Sequence, residues 1–388
     1  MKITDAHIHY DLSLGTDRIL EALAYENADR AAFLCIPKGG SMDMDHAVDE
    51  ALCFAEETAG SGIKIDVFGG IDRNIYLKED GQEAMAERLR EQVRLLSGKG
   101  CTGIKMLEGK PNIRKAFPVP DFDSETWESY WTEAERTQIP IIMHMNDPET
   151  FWDASRVDAF AKSAGWFYDD TYVNNEDQYS QMDRVLVRHP ELRILFPHFY
   201  FMSMQLERLA DIFDRYPNVY TDVTPGTELI LNMGAAKHHE AACRFFTKYQ
   251  DRILYGTDIG GRQVIRDEPA SLNLEESRAR VDLVRTFLET EGEYLLADDG
   301  AYFTGRGEAR IKGLGLPDNV LEKICRKNYR TFATGKPEGY GTYHEGVSDG
   351  KRKKDQYRLD PVRRRRHRRC DHGAWNNVDR PQCTERYG

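Results

Sequence analysis

The sequence predicts an α/β protein folded as a (β/α)8 TIM barrel, and three observations carry that prediction. Short apolar or β-branched runs alternate with amphipathic stretches, the pattern of βαβ units around a parallel sheet. Eight such runs can be counted along the chain. A continuous domain of roughly 250 residues or more is usual for barrels, and these 388 residues have room for one. No glycine-rich phosphate loop follows the first run, which removes the main argument for an open doubly wound sheet.

Taken in order, the strands are read at Ile3 to His9, Ala31 to Ile36, Lys64 to Gly70, Gly103 to Leu107, Ile139 to His144, Arg193 to His198, Asn218 to Val223 and Ile253 to Asp258. Helical spacing separates them, as in Met85, Leu89, Val93 and Leu96, or Leu206, Leu209, Ile212 and Phe213. The fifth crossover, Asn146 to Glu191, is longer and holds Phe151, Trp152, Trp166, Phe167, Tyr168, Tyr172 and Tyr179, so an insertion capping the barrel mouth is expected there. The helix Pro317 to Phe332 would complete the ring, and Gly335-Lys336-Pro337-Glu338-Gly339 marks the end of the fold.

Residues 336–388 change character. They carry 14 Lys and Arg against 8 Asp and Glu, so of the formal charge of −12 the first 335 residues hold −18. The chain therefore divides into a barrel domain, 1–335, and a basic tail with almost no aliphatic periodicity, which is expected to be disordered. An acidic body repels nucleic acid and stays in solution, whereas Arg363-Arg364-Arg365-Arg366-His367-Arg368-Arg369 would attract polyanions. No run of 18 or more apolar residues occurs, and no leader peptide precedes the first strand, so a cytoplasmic protein without membrane attachment is expected. Cysteines 35, 53, 101, 243, 325, 370 and 383 form no C-x-x-C pair and read as reduced thiols. Cys370 and Cys383 near His367 and His372 match no zinc-finger spacing.

Chemistry concentrates at the ends of the strands. In Asp5-Ala6-His7-Ile8-His9 the two histidines are two residues apart, so both emerge on one face of a strand. His144, His198 and Asp258 each end a further strand. In a barrel all carboxyl ends open on one mouth, where residues distant in sequence meet. Three imidazoles and a carboxylate form a borderline-soft, nitrogen-rich set that suits Zn2+ best, with Fe2+, Mn2+ or Co2+ able to replace it. Such a site would activate a water, with Asp258 taking its proton and His198 orienting it or protonating a leaving group. Arg73, Arg114, Asn146 and Arg262 follow strands three, four, five and eight and are candidate contacts for a small anionic substrate. Asp222 on strand seven is a candidate partner for a ligand imidazole.

These residues resemble the amidohydrolase superfamily, and within it the amidohydrolase-related branch (amidohydrolase family 2) of metal-dependent hydrolases and nonoxidative decarboxylases. The resemblance lies in Asp5-Ala6-His7-Ile8-His9, Gly103-Ile104-Lys105, His144, Phe196-Pro197-His198, Tyr255-Gly256-Thr257-Asp258 and Lys327-Asn328-Tyr329-Arg330-Thr331-Phe332, covering about residues 1–335. It implies one divalent metal on His7, His9, His144 and Asp258, with His198 as a catalyst. It also implies an alternative, binuclear site in which a carboxylated Lys105 and His198 join as ligands; an unmodified Lys105 would instead hold a substrate carboxylate. A homodimer is implied by analogy.

The expected function is therefore hydrolysis of a carbon–nitrogen or carbon–oxygen bond in a small carboxylated substrate by metal-activated water. The alternative is metal-dependent nonoxidative decarboxylation of an unsaturated or aromatic carboxylate by the same constellation. A third reading, from another class, is a polyanion-binding protein that uses the Arg-rich tail.

Overall fold

Runs of apolar residues with both faces covered form the strands of a parallel sheet. In the computed structural model, which describes residues 1–9, 15–36, 44–226, 228–260, 272–296 and 309–336, they are β1 (Ile3–His9), β2 (Ala28–Leu34), β3 (Lys64–Gly70), β4 (Gly103–Gly109), β5 (Ile141–Met145), β6 (Ile194–Phe196), β7 (Val219–Asp222) and β8 (Ile253–Leu254). They pair in sequence order, every neighbour parallel. Hydrogen bonds from Ala6 N to Tyr255 O (3.0 Å) and from His9 N to Ile259 O (2.8 Å) tie β1 to the segment after β8 and close the ring. The predicted (β/α)8 barrel is the observed fold.

Two apolar layers follow from the closed sheet. Ala6, Ala32, Leu34, Phe68, Ile142, Leu195, Tyr220 and Leu254 fill the interior, while Phe33, Val67, Ile104, Met106, Ile141 and Ile194 join the layer shared with the helices. Helices α1 (Thr16–Glu26), α2 (Met44–Glu57), α3 (Gln82–Lys99), α4 (Pro111–Ala116) and α5 (Glu125–Thr137) come from the first half of the chain. The second half adds α6 (Ala159–Ser163), α7 (Asn175–Arg188), α8 (Leu206–Arg215), α9 (His239–Lys248) and α10 (Leu274–Glu289). Most of each predicted apolar stripe is buried, Leu89, Val93 and Leu96 on α3 and Leu209, Ile212 and Phe213 on α8, while Met85 and Leu206 are half-buried.

The final helix is continuous but irregular. It runs as α11 (Asp318–Glu322), a π turn over Lys323–Lys327, and α12 (Asn328–Thr334), and ends on Gly335 at φ 70°, a left-handed cap that glycine adopts without penalty. Tyr329 and Phe332 pack into the interior layer, with Phe332 against Phe68 and Tyr220 (6.3 and 5.4 Å between ring centres), and Tyr329 OH donates to Asp66 (3.0 Å).

Strands two, four and five differ from the sequence reading by two or three residues at an end, and larger departures occur in three places. Strands six and eight stop at Phe196 and Leu254, short of His198 and Asp258. Both residues have left-handed backbones (φ 56° and 57°), which a strand cannot contain. The long fifth crossover is mostly ordinary, since α7 is its barrel helix; the true insertion precedes it. There a 3-10 turn, Glu149–Trp152, and α6 support a small cluster of Phe151, Val157, Ala161 and Tyr168, packed by Trp152, Trp166, Phe167 and Tyr172. An antiparallel hairpin, β9 (Glu291–Leu296) with β10 (Ala309–Leu314), lies between α10 and α11 and was not anticipated.

Register shifts mark two strands near the mouth. On β1, Asp5 pairs with Ala31 but Ile8 with Phe33, so one extra residue bulges between them. On β4, Met106 pairs with Met143 and Gly109 with Met145, another extra residue. A Cβ at Gly109 would sit 2.3 Å from the carbonyl oxygen of His144, so the close approach there requires glycine. Among the described residues, no helix is long and apolar enough to cross a membrane. Arg262 and the tail after Lys336, with Cys370 and Cys383, lie outside the described residues.

Candidate metal centre

The β1 bulge places His7 and His9 on the inner side of the barrel while Asp5 faces away, where its Oδ1 accepts the His7 N–H (2.8 Å) and its Oδ2 accepts the Thr257 hydroxyl (2.5 Å). Burial in that position pushes the Asp5 carboxyl up to about 7.

His7 Nδ1 lies 2.8 Å from Asp222 Oδ2, and His9 Nδ1 lies 3.2 Å from the carbonyl of Leu34. Each partner is an acceptor, so each Nδ1 carries the proton and each Nε2 keeps its lone pair. Those two lone-pair nitrogens face one another at 3.3 Å. Asp258 Oδ1 completes the group, 3.2 Å from His9 Nε2 and 3.6 Å from His7 Nε2. Three electron-rich atoms thus converge in a buried site, a set that could hold a cation. Among the described residues, His7, His9 and Asp258 form the group whose ligand atoms all lie within 4.8 Å of one another. The donor set, two imidazoles and a carboxylate, fits a divalent transition ion. Burial holds His9 neutral by drawing its pKa down to about 4.

Asp258 follows β8 in a left-handed turn, secured by its N–H to His7 O (2.8 Å). Arg280, buried on α10, donates from Nη1 to Asp258 Oδ2 (3.3 Å) and to Thr257 O (3.2 Å). Its Nε meets Glu276 one helical turn earlier (3.1 Å). Burial alone would raise the Asp258 pKa; its charged surroundings, Arg280 among them, outweigh it and hold the group well below the usual carboxylate range. Arg280 was not among the sequence candidates, and its only trace there is a Glu276–Arg280 pair at helical spacing.

Asp222 serves two imidazoles at once. Its Oδ2 takes the His7 proton, while Oδ1 accepts the hydroxyl of Thr224 (2.7 Å) and the backbone N–H of His198 (2.9 Å). With its own proton committed to Asp222, Thr224 Oγ1 must accept from His198 Nδ1 (2.7 Å), which leaves His198 Nε2 as the free base. The His198 ring lies 5.5 Å from that of His7 and 5.4 Å from that of His144. Replacing Asp222 by asparagine removes the fixed anion behind His7. Affinity for a divalent metal is expected to fall about 10- to 100-fold, measured by chelator competition; a change under about twofold would refute this role.

His198 begins a turn in which four consecutive non-glycine residues, His198, Phe199, Tyr200 and Phe201, are left-handed (φ 53–56°). Each such residue costs roughly 1–2 kcal/mol. The surroundings hold the turn in place: Tyr179 OH donates to Tyr200 O (2.8 Å), the Tyr200 ring stacks on Phe196 (4.0 Å), and Ser203 N donates to the buried Glu228 (3.2 Å).

The remaining candidates occupy varied positions. His144 lies beside His198 but outside the close group, with its Nε2 3.3 Å from Asp147 Oδ1. Lys105 is buried on β4, and burial lowers its pKa to about 8 against the pull of Asp258, Asp222 and Glu108. Arg73 is buried with its guanidinium over Phe117 (5.2 Å), and its Nε and Nη2 have no hydrogen-bond partner among the described residues. Arg114 is engaged by Asp121 (2.8 Å) and Gln181 (2.9 Å). Asn146 bonds to Gln178 (2.6 Å) and to the carbonyl of Asn175 (3.1 Å).

Comparison with known proteins bears on this arrangement. The model of the amidohydrolase family matches residues 4–330. The chain belongs to the amidohydrolase family. Among curated proteins none matches it. Amidohydrolase-like solved structures include amidohydrolase II, 14% identical, with a TM-score of 0.51 over 86% of this chain and 99% of the other. A 2,6-dihydroxybenzoate decarboxylase from Rhizobium is 14% identical, with a TM-score of 0.48 over 86% and 98%. A dihydroxybenzoic acid decarboxylase from Polaromonas, solved with manganese and 2-nitroresorcinol, is 13% identical, with a TM-score of 0.48 over 86% and 96%. At 14% identity the likeness to amidohydrolase II is one of fold.

Proposed function

We propose that this amidohydrolase-family protein is a metal-dependent hydrolase acting on a carbon–nitrogen or carbon–oxygen bond of a small carboxylated substrate. The observation that carries the reading is the convergence of His7 Nε2, His9 Nε2 and Asp258 Oδ1 within 3.2–3.6 Å, with the Nδ1 atoms of both imidazoles engaged elsewhere by Asp222 and Leu34 O. We propose a single divalent ion, zinc first, with iron, manganese or cobalt able to replace it, held by these residues and His144. When bound, such an ion supplies an activated water and polarises the substrate carbonyl.

The chain's own residues supply the rest. Asp258, anionic and backed by Arg280, is placed to accept the proton of the attacking water. His198 Nε2, with Nδ1 engaged by Thr224, exchanges a proton with the leaving group. Lys105 and Arg73 are the cations proposed to hold the substrate carboxylate, with Arg262, outside the described residues, as a third. For Arg73 the support is physical: a buried guanidinium whose Nε and Nη2 lack hydrogen-bond partners among the described residues is costly, and a carboxylate would offset that cost.

One observation favours nonoxidative decarboxylation as a second reading. Phe201 lies stacked on His198 (5.2 Å) and tilted against His144 (5.3 Å), an aromatic wall beside the imidazoles that suits a flat unsaturated acid. Incubation of the metal-loaded protein with amides, lactones and aromatic or unsaturated acids, read by product mass, separates the two. Gain of water supports the hydrolase, and release of carbon dioxide without it overturns that assignment. Inertness toward the whole panel with metal bound would count against both.

A further inference from the structure

His144 is held from behind by a buried network that belongs partly to the insertion after β5. Lys110 Nζ lies 2.7 Å from both carboxylate oxygens of Asp147, Tyr168 OH donates to Asp147 Oδ2 (2.5 Å), and His144 Nε2 is 3.3 Å from Asp147 Oδ1. Trp166 covers the Lys110 ammonium at 4.9 Å from its ring centre, and Lys110, Asp147 and Tyr168 are each at most 4% exposed. Such burial of an ion pair is worthwhile to a fold only with its hydrogen bonds complete, which Tyr168 and His144 provide here.

We infer that Asp147, anchored by Lys110 and Tyr168, is a positioning residue that fixes the tautomer and angle of His144 so that Nδ1 is the lone-pair nitrogen offered to the metal centre. A carboxylate clasped by an ammonium is an anion and can only accept, so the proton on His144 sits on Nε2. His7 and His9 are held the opposite way, protonated on Nδ1 by Asp222 and Leu34 O. The chain thus uses both tautomers around one centre, and the insertion acts on the site through Tyr168 and Trp166. The inference rests on the reading of His144 as a ligand.

The test uses the full chain, with Mn2+ alone as the probe. Metal-free protein carrying 15N-histidine is examined by imidazole NMR, with the His144 signals assigned from H144Q. The Nε2–H tautomer is expected for His144 in the wild type, and an Nδ1–H tautomer there overturns the inference. Chelator competition then compares D147N, H144Q and the double variant. D147N is expected to weaken Mn2+ binding about 10- to 100-fold, with the double variant no weaker than H144Q alone. Binding by D147N within about twofold of wild type, or losses that add, overturns it. Y168F, which removes one hydrogen bond, should show a smaller loss in the same direction and serves where D147N does not fold. If H144Q itself binds Mn2+ as well as wild type, the ligand reading fails, and the tautomer spectrum still decides what Asp147 does.

Discussion

Substitution of Asp258 by asparagine is expected to lower kcat/KM by at least about a thousandfold. The change keeps the shape of the side chain and removes the anion that faces both Nε2 atoms and the Arg280 guanidinium. Two losses combine: a charged donor to the metal and a base for the water proton, the second alone worth about 10²–10⁴ in rate. Steady-state kinetics with metal content measured on the same sample checks this. A metal-replete variant within tenfold of wild type would remove Asp258 from the chemistry.

Substitution of Lys105 by methionine should make the metal-free protein more stable at neutral pH. The folded-state pKa of about 8 lies below the ordinary 10.5 because burial penalises the ammonium. Between those values the unfolded chain binds the proton that the folded chain has released, so stability rises with pH across that window. Below about pH 8 the penalty is fully present, and the gap between about 8 and 10.5 corresponds to about 3 kcal/mol. Metal-free K105M should exceed wild type by up to about 3 kcal/mol at pH 7, with the gap closing as pH climbs toward 10.5. Denaturant unfolding at several pH values reads this directly. A variant less stable at pH 7, or a gap that ignores pH, would contradict it. Retaining such a costly side chain makes sense where an anion is to be met.

Much of this was legible along the chain. Strands β1 and β3 have the bounds that apolar runs predict, because alternation and termination there depend only on local residues. His7 and His9 declare themselves by spacing, and Asp258 by ending an apolar run. What stayed hidden depends on contacts between distant segments. Nothing near Asp147 announces that Lys110 and Tyr168, 37 and 21 residues away, will clasp it. Arg280 reads as one more charge on an amphipathic helix until α10 packs behind Asp258. The left-handed residues after β6 and β8 are invisible for a different reason. His, Phe, Tyr and Asp carry no local preference for that backbone comparable to glycine's, and tertiary bonds impose it.

The helix over Asn328–Thr334 has a temporal meaning. Its Tyr329 and Phe332 stopper the inside of the cylinder from the end opposite His7 and His9, and they are made long after β1. On the ribosome, at roughly 5–20 residues per second, the first two imidazoles exist for tens of seconds before the plug that dries the lumen beneath them emerges. Until that helix emerges the lumen has no seal at its far end, and the ring itself cannot close before the segment after β8 is made.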